Sequence, residues 1–260
     1  MTAAPTLRDW LGAEPFSLGM SSGFFAFFAH TGVLGVLEEE GLLPRRAAGS
    51  SAGALVTGAW AAGVPAAGIA DTLLGLDREH FWDPRPGFGL LAGKKFDALL
   101  RDLLPVHRFD ECRIPVRLSV HDILARETRV MLRGDLPTAI RASCAVPGMF
   151  HPVWIGRRPY WDGGVSDRPG ILGLEDGERL LFHHIESRSP WRKVDSEAMR
   201  IPKRGNMVTL VLEGLPRSGP FKLHEGRRAL GVALEAMLRA LDQPVAPNNE
   251  VRVQLPATER

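Results

Sequence analysis

The stretch AAGSSAGALVTGAW, residues 47–60, limits what this chain can fold into more than any other. Its centre, Gly49-Ser50-Ser51-Ala52-Gly53, has the Gly-x-Ser-x-Gly spacing in which a strand turns sharply into a helix and exposes a serine hydroxyl. Glycines on both sides of such an elbow let the strand and helix backbones approach each other. The Ala and Gly that follow suit a helix lying close on a sheet, and Gly63 with Pro65 ends it. Glycine and serine also populate ordinary turns, so the pentapeptide alone leaves Ser51 either a nucleophile or a turn residue.

The flanking segments fit a layered α/β chain. FSLGM, residues 16–20, reads as a short strand, and a helix is expected over Phe24–Glu40, stopped by Gly41 and Pro44. Two helical pieces, AAGIADTLLGLDREH and KKFDALLRDLL, are separated by WDPRPGFGLLAG, a Pro/Gly loop suited to border a substrate entrance. Strands follow at PVRLSVHDI and ETRVMLRG. A short helix capped by Asp135 runs through LPTAIRASCAV to Pro147 and Gly148, and PVWIGRRPYW reads as a hairpin. RLLFHHI and MVTLVLEG are two further strands, and LHEGRRALGVALEAMLRALD carries apolar residues at helical spacing. With no repeat and no linker, one domain is expected over residues 1–260, its core at about 16–242.

Composition narrows the function classes. Thirty-two Lys and Arg against 30 Asp and Glu give a net charge of +2, too balanced for the electrostatic footprint of a nucleic-acid binder. Cys112 and Cys144 cannot build a disulfide framework or a Cys-rich zinc site, which points to a reducing, cytoplasmic setting. The start, MTAAPTLRDWLGAEP, lacks a signal-peptide pattern. The most apolar window, residues 54–70, is broken by Pro65 and makes a poor membrane span. Any membrane contact is therefore expected to be peripheral.

A second motif lies far downstream in YWDGGVSDRPG, where two glycines after Asp162 can hold a carboxylate at the tip of a tight turn. Three stretches taken together, AHTGVLGVLEEEGL with the serine elbow, IRASCAVPGMFHPV and YWDGG, resemble the patatin-like phospholipase family in order and approximate separation. The resemblance runs from about Phe16 to Arg168. It implies a three-layer α/β/α fold with a central, mostly parallel sheet. It also implies hydrolysis of lipid acyl esters, with a phospholipid or lysophospholipid as substrate, and a Ser-Asp dyad with Ser51 as nucleophile and Asp162 as general base. Gly49 and Gly53 would shape the elbow, and neither metal nor cofactor is required.

One loop departs from the family pattern of three glycines, any residue, Arg and Gly ahead of Ala-His. Here that position holds SGFFAF, Ser22 to Phe27, in which Gly23 retains a family glycine and Ala26 stands where the arginine belongs. An oxyanion hole depends on the direction of N–H groups more than on side chains, so Gly23, Phe24 and Ala52 are the expected donors. The lost arginine bears on how complete that hole is and on whether the substrate carries phosphate.

Other readings stay open at this level. The same fold could serve as a catalytically silent lipid-binding or regulatory protein, or as a small-molecule esterase or acyltransferase. His30, His121 and His151 sit in no recognised motif, while His183, His184 and His224 follow Asp162 and keep a Ser-acid-His order available. His183 and His184 would point to opposite faces of a strand, which argues against a paired metal site. Phe24, Phe25, Phe27 and Phe28 keep to no single helical face and are read as buried packing ahead of an acyl pocket. Cys144 is expected to be a buried structural residue and Asp167 a turn or surface residue. The segment from Arg188 to Arg204, with Trp191, is read as a solvated loop, with contact to anionic headgroups as the alternative.

Overall fold

The computed structural model describes residues 4–186 and 200–255. In chain order its elements are α1 (Leu7–Ala13), β1 (Ser17–Met20), α2 (Phe27–Glu39), β2 (Arg46–Ser50), α3 (Ala52–Ala61), α4 (Ala66–Leu74), β3 (Gly89–Leu91) and α5 (Lys94–Leu103). There follow β4 (Val116–Asp122), β5 (Glu127–Met131), α6 (Leu136–Ser143), β6 (Gly148–Phe150), β7 (Val153–Ile155), β8 (Arg158–Asp162), β9 (Leu180–His184), β10 (Met207–Glu213), α7 (Leu223–Leu241) and β11 (Glu250–Gln254).

The main sheet runs β11-β10-β9-β1-β2-β4-β8-β7, with β5 also paired to β4. From β11 to β4 every pairing is parallel, and only β5, β8 and β7 run against their neighbours. The central strands read as nearly unbroken buried runs, all of β1 and β9 among them, as a parallel sheet covered on both faces requires. On one face Leu18, Met20, Ala47, Leu118, Leu181 and Leu210 join the helices in a single core. On the other, Ala48, Leu180, Phe182 and Met207 are covered by Ile171 and Leu174, from the chain that follows β8. The expected α/β class, a mostly parallel sheet flanked by helices, is what the structure shows.

Small residues set the helix packing. All ten residues of α3 are buried, so this helix has no solvent face and lies flat on the sheet. At Gly32 of α2 an added Cβ would sit 2.4 Å from the Leu230 carbonyl oxygen of α7, so the two helices can cross closely only because that side chain is missing. Glu38, near the end of α2, accepts from Trp60 Nε1 at 2.9 Å and from the Ala66 amide at 2.6 Å, which caps α4 from a distance.

Several boundaries differ from the expectation. The first long helix starts at Phe27, because Phe25 has a φ of +56° and the chain turns at residues 24–26 before the helix can begin. The Pro/Gly loop after α4 contains β3, paired in parallel with β6, and both ends of the chain add elements with little sequence signal, α1 and β11. Of the basic excursion, residues 187–199, including Trp191, lie outside the described residues.

Candidate active site

Strand pairing brings the two motifs together. β2 runs parallel to β4 until Ser50 faces Ser119, and β8 arrives antiparallel along β4, where Asp162 faces Val120. The last residues of β2 and β8 therefore occupy consecutive positions opposite β4, and the chain after β2 meets the chain after β8. Ser51 leaves β2 with φ +54° and ψ −120°, a strained geometry for a residue with a side chain, and α3 begins at the next residue. Its Oγ donates to Asp162 Oδ2 at 2.6 Å.

The glycines around the pair are needed for space. A Cβ at Gly49 would meet the Gly53 carbonyl carbon and oxygen at 2.5 Å, and one at Gly53 would meet the Met20 oxygen at 2.0 Å. At Gly163 a Cβ would lie 2.0 Å from the Ser119 oxygen, and at Gly164 it would lie 2.3 Å from Ser22 Oγ. The Gly164 amide donates to Asp162 Oδ1 at 2.7 Å, which leaves Oδ2 aimed at the serine. Asp162 is buried, and its own amide donates to the Ala145 carbonyl at 2.9 Å.

Ser143 is a supporting residue that sequence reasoning missed. From the last turn of α6 its Oγ donates to the Ser119 carbonyl at 2.7 Å and accepts from the Ser51 amide at 2.9 Å, so it ties the elbow to β4. It lies inside IRASCAVPG, which marked the segment without marking the residue. Cys144, next to it, points its thiol at the Ser51 carbonyl at 3.2 Å, and burial pushes that thiol well up, so it stays protonated. Asp167 corrects an expectation. It is buried, accepts from Ser119 Oγ at 2.6 Å and from the Gly170 amide at 3.0 Å, and fastens the chain after β8 to the sheet.

Ser51 and Asp162 open into a cleft lined mainly by apolar side chains. Gly23, Phe24 and Ala52, the expected amide donors, border the same cleft as Ser51. Gly23 has no room for a side chain, since a Cβ would meet Ala26 Cβ at 2.6 Å and Ile185 Cγ2 at 2.9 Å. Of the four phenylalanines read as packing residues only Phe28 is fully buried. Phe24, Phe25 and Phe27 form part of the cleft wall, where Phe81 packs against Phe25 with ring centroids 5.9 Å apart and the rings tilted. None of the eight histidines lines the cleft. Among the described residues no group of three or more His, Cys, Asp or Glu gathers that could hold a metal ion, and no helix is long and apolar enough to cross a membrane.

Two of those histidines brace the loop from below. His30 Nε2 lies 2.8 Å from the Ser21 carbonyl and so carries a proton. Its Nδ1, 2.9 Å from His183 Nδ1, must then accept when His30 is neutral. Burial lowers His30 to about 4 and His183 well below its ordinary value. The unfolded chain binds these protons near pH 6.5 and the folded one does not, so stability is flat above that value and falls as pH drops from 6.5 toward 4. His30 alone accounts for on the order of 3 kcal/mol across that window. Asp167, whose carboxyl burial pushes up, works in the opposite direction and trims the net fall. Urea midpoints measured from pH 8 to pH 4.5 should decline below pH 6.5, and a flat series to pH 5 would remove the histidine pair from the account.

A serine on a strained strand-to-helix elbow, with a carboxylate on its hydroxyl, on a mostly parallel sheet packed against helices, defines an α/β protein with a serine elbow. The chain belongs to the patatin-like phospholipase family, whose model matches residues 18–174. An uncharacterised NTE family protein of Mycobacterium tuberculosis is 34% identical over 171 residues, 64% of this chain and 48% of that protein. An uncharacterised protein of Bacillus subtilis is 28% identical over 198 residues, 62% of this chain and 68% of the other. The chain thus spans about half the length of the mycobacterial relative it matches. Among solved structures, VipD from Legionella pneumophila superposes with a TM-score of 0.65 at 14% identity, covering 89% of this chain and 67% of its own, a likeness of fold.

Proposed function

We propose that the protein hydrolyses carboxylic esters of lipids, a phospholipid or lysophospholipid, through a Ser51-Asp162 dyad. The observation that carries this reading is the 2.6 Å hydrogen bond from Ser51 Oγ to Asp162 Oδ2, both of which line an apolar cleft. As Ser51 Oγ attacks the ester carbonyl, its proton passes to Asp162, and the carbonyl oxygen becomes an oxyanion. The Gly23, Phe24 and Ala52 amides stabilise that charge, aided by the positive end of the α3 dipole. The tetrahedral adduct then expels the alcohol, which takes the proton from Asp162, and leaves an acyl-enzyme on Ser51. Water, deprotonated by Asp162, releases the fatty acid and restores the serine. The aromatic and aliphatic wall suits an acyl chain, whose burial contributes about 0.8 kcal/mol per methylene.

The phenylalanines that replace family glycines at the oxyanion loop favour one second reading, a lipid-binding protein without turnover. A fluorophosphonate probe separates the two. Stoichiometric labelling of the wild type that disappears in Ser51→Ala supports the hydrolase, and a folded wild type that never labels supports the silent binder. Product analysis with added alcohols separates hydrolysis from acyl transfer, since either acceptor can resolve the same acyl-enzyme.

A further inference from the structure

We propose that the chain from Arg78 to Lys95 is an interfacial anchor that seats the cleft on an anionic phospholipid bilayer, with Phe88 and Leu90 entering the acyl region. The inference rests on the lipid-hydrolase reading for its purpose and on separate observations for its placement. Phe88 is 84% exposed and Leu90 50% exposed, the former among the most exposed large apolar side chains described. They stand two residues apart, Phe88 in the bend that leads into β3 and Leu90 within β3, whose next residue, Leu91, is fully buried on the alternate face. Exposing a phenylalanine in water forgoes most of the burial gain of an aromatic ring, and a lipid interface recovers it.

The segment is held rigidly, as an anchor needs to be. Pro84 bridges Leu91, the Arg85 amide donates to the Leu90 carbonyl at 3.0 Å, and β3 pairs with β6. His151 closes the base, its Nε2 lying 3.1 Å from the Arg85 carbonyl and its amide donating to Leu91 at 2.9 Å. Pairing with β6 also fixes the anchor relative to the site, because Met149 and Phe150 of β6 line the cleft. Insertion at Phe88 would therefore present the cleft to the lipid.

Charge selects the kind of surface. Arg78, Arg85, Lys94 and Lys95, all exposed, flank the apolar tip in sequence, against two carboxylates in the same segment, Glu79 and Asp83. Asp83 is occupied internally, accepting the amides of Gly93, Lys94 and Lys95 at 3.0, 2.7 and 3.2 Å. Asp97, just beyond, is taken by Arg101 and Arg141. A second apolar point adjoins, where Phe221, 68% exposed, packs on Trp82 at 5.5 Å with the Arg78 guanidinium over both rings. Exposed cations in the same segment as exposed aromatics fit anionic headgroups above acyl chains.

The test is cosedimentation of Ser51→Ala protein, which leaves lipid intact, with vesicles of phosphatidylcholine alone or with about 30% phosphatidylglycerol added, a moderately anionic surface. Binding to the anionic vesicles is expected, weakened by salt, and reduced at least about 10-fold by the Phe88→Ala/Leu90→Ala pair. In the Ser51 background that pair should keep its turnover of soluble p-nitrophenyl butyrate. Wild-type-like binding by the double variant, no binding to anionic vesicles, or a dimer that the double variant converts to monomer would each overturn the anchor. Vesicle binding that follows Phe88 and Leu90 in a protein that hydrolyses nothing would keep the anchor and defeat the hydrolase reading.

Discussion

Asp162→Asn should lower kcat for p-nitrophenyl ester hydrolysis by about 10³- to 10⁴-fold, with far less change in KM. The amide fills the carboxylate's volume; its oxygen can keep the Gly164 amide while its NH2 donates to Ser51 Oγ, so the elbow and the bound ester stay close to their arrangement. What disappears is a group able to hold the proton while the serine attacks. The expected loss corresponds to about 4–5.5 kcal/mol of barrier. Ser51→Ala should fall at least as far. Because the two side chains act as one unit, the double variant should be no slower than the worse single one. Near-normal turnover by a folded Asp162→Asn protein would take Asp162 out of the chemistry, and no histidine stands at the cleft to replace it.

Gly53→Ala should damage the fold itself. Its Cβ would arrive 2.0 Å from the Met20 carbonyl oxygen, a backbone atom of a central strand, so relief requires α3 to lift from the sheet. A cost of about 3 kcal/mol or more is expected, lowering Tm by about 6–12 °C for a chain of this size. Gly35→Ala provides the contrast. It also lies within a helix, α2, but its Cβ would meet nothing within 4 Å, so it should stabilise by about 0.5–1 kcal/mol through helix propensity. Thermal unfolding of the two variants beside the wild type reads both effects. Equal Tm values would show that α3 does not depend on that close approach.

What could be read in the sequence was local chemistry. Glycines flanking Ser51 and following Asp162 announce close packing around sharp turns, because a side chain there would collide with neighbouring chain, and apolar periodicity marks α7 and the buried strands. Contacts between distant segments leave no such trace. Nothing around Ser143 says that its hydroxyl will meet the Ser51 amide, and nothing around His30 says that its partner will be His183. Asp167 shows how a reasonable rule fails: carboxylates are seldom buried, yet this one meets Ser119 and two turn amides inside the molecule. The start of α2 was misplaced for a different reason. Phe24–Phe25 has the composition of a helix start, while the backbone there takes a left-handed turn that phenylalanine seldom adopts. β11 joins the sheet through pairing with β10; Val251 and Val253 alternate with Glu250, Arg252 and Gln254 as a strand's residues do, but five residues are a short signal.

The shared edge of β4 works as a ruler. Ser51 and Asp162 are spaced by the repeat of one strand, with β2 ending opposite Ser119 and β8 ending opposite Val120, and no loop length enters that distance. Segments that do not touch the ruler can change in length and composition without moving Ser51 Oγ and Asp162 apart. The walls of the cleft, Phe24, Phe25 and Phe27 among them, can therefore vary without changing the spacing of Ser51 and Asp162.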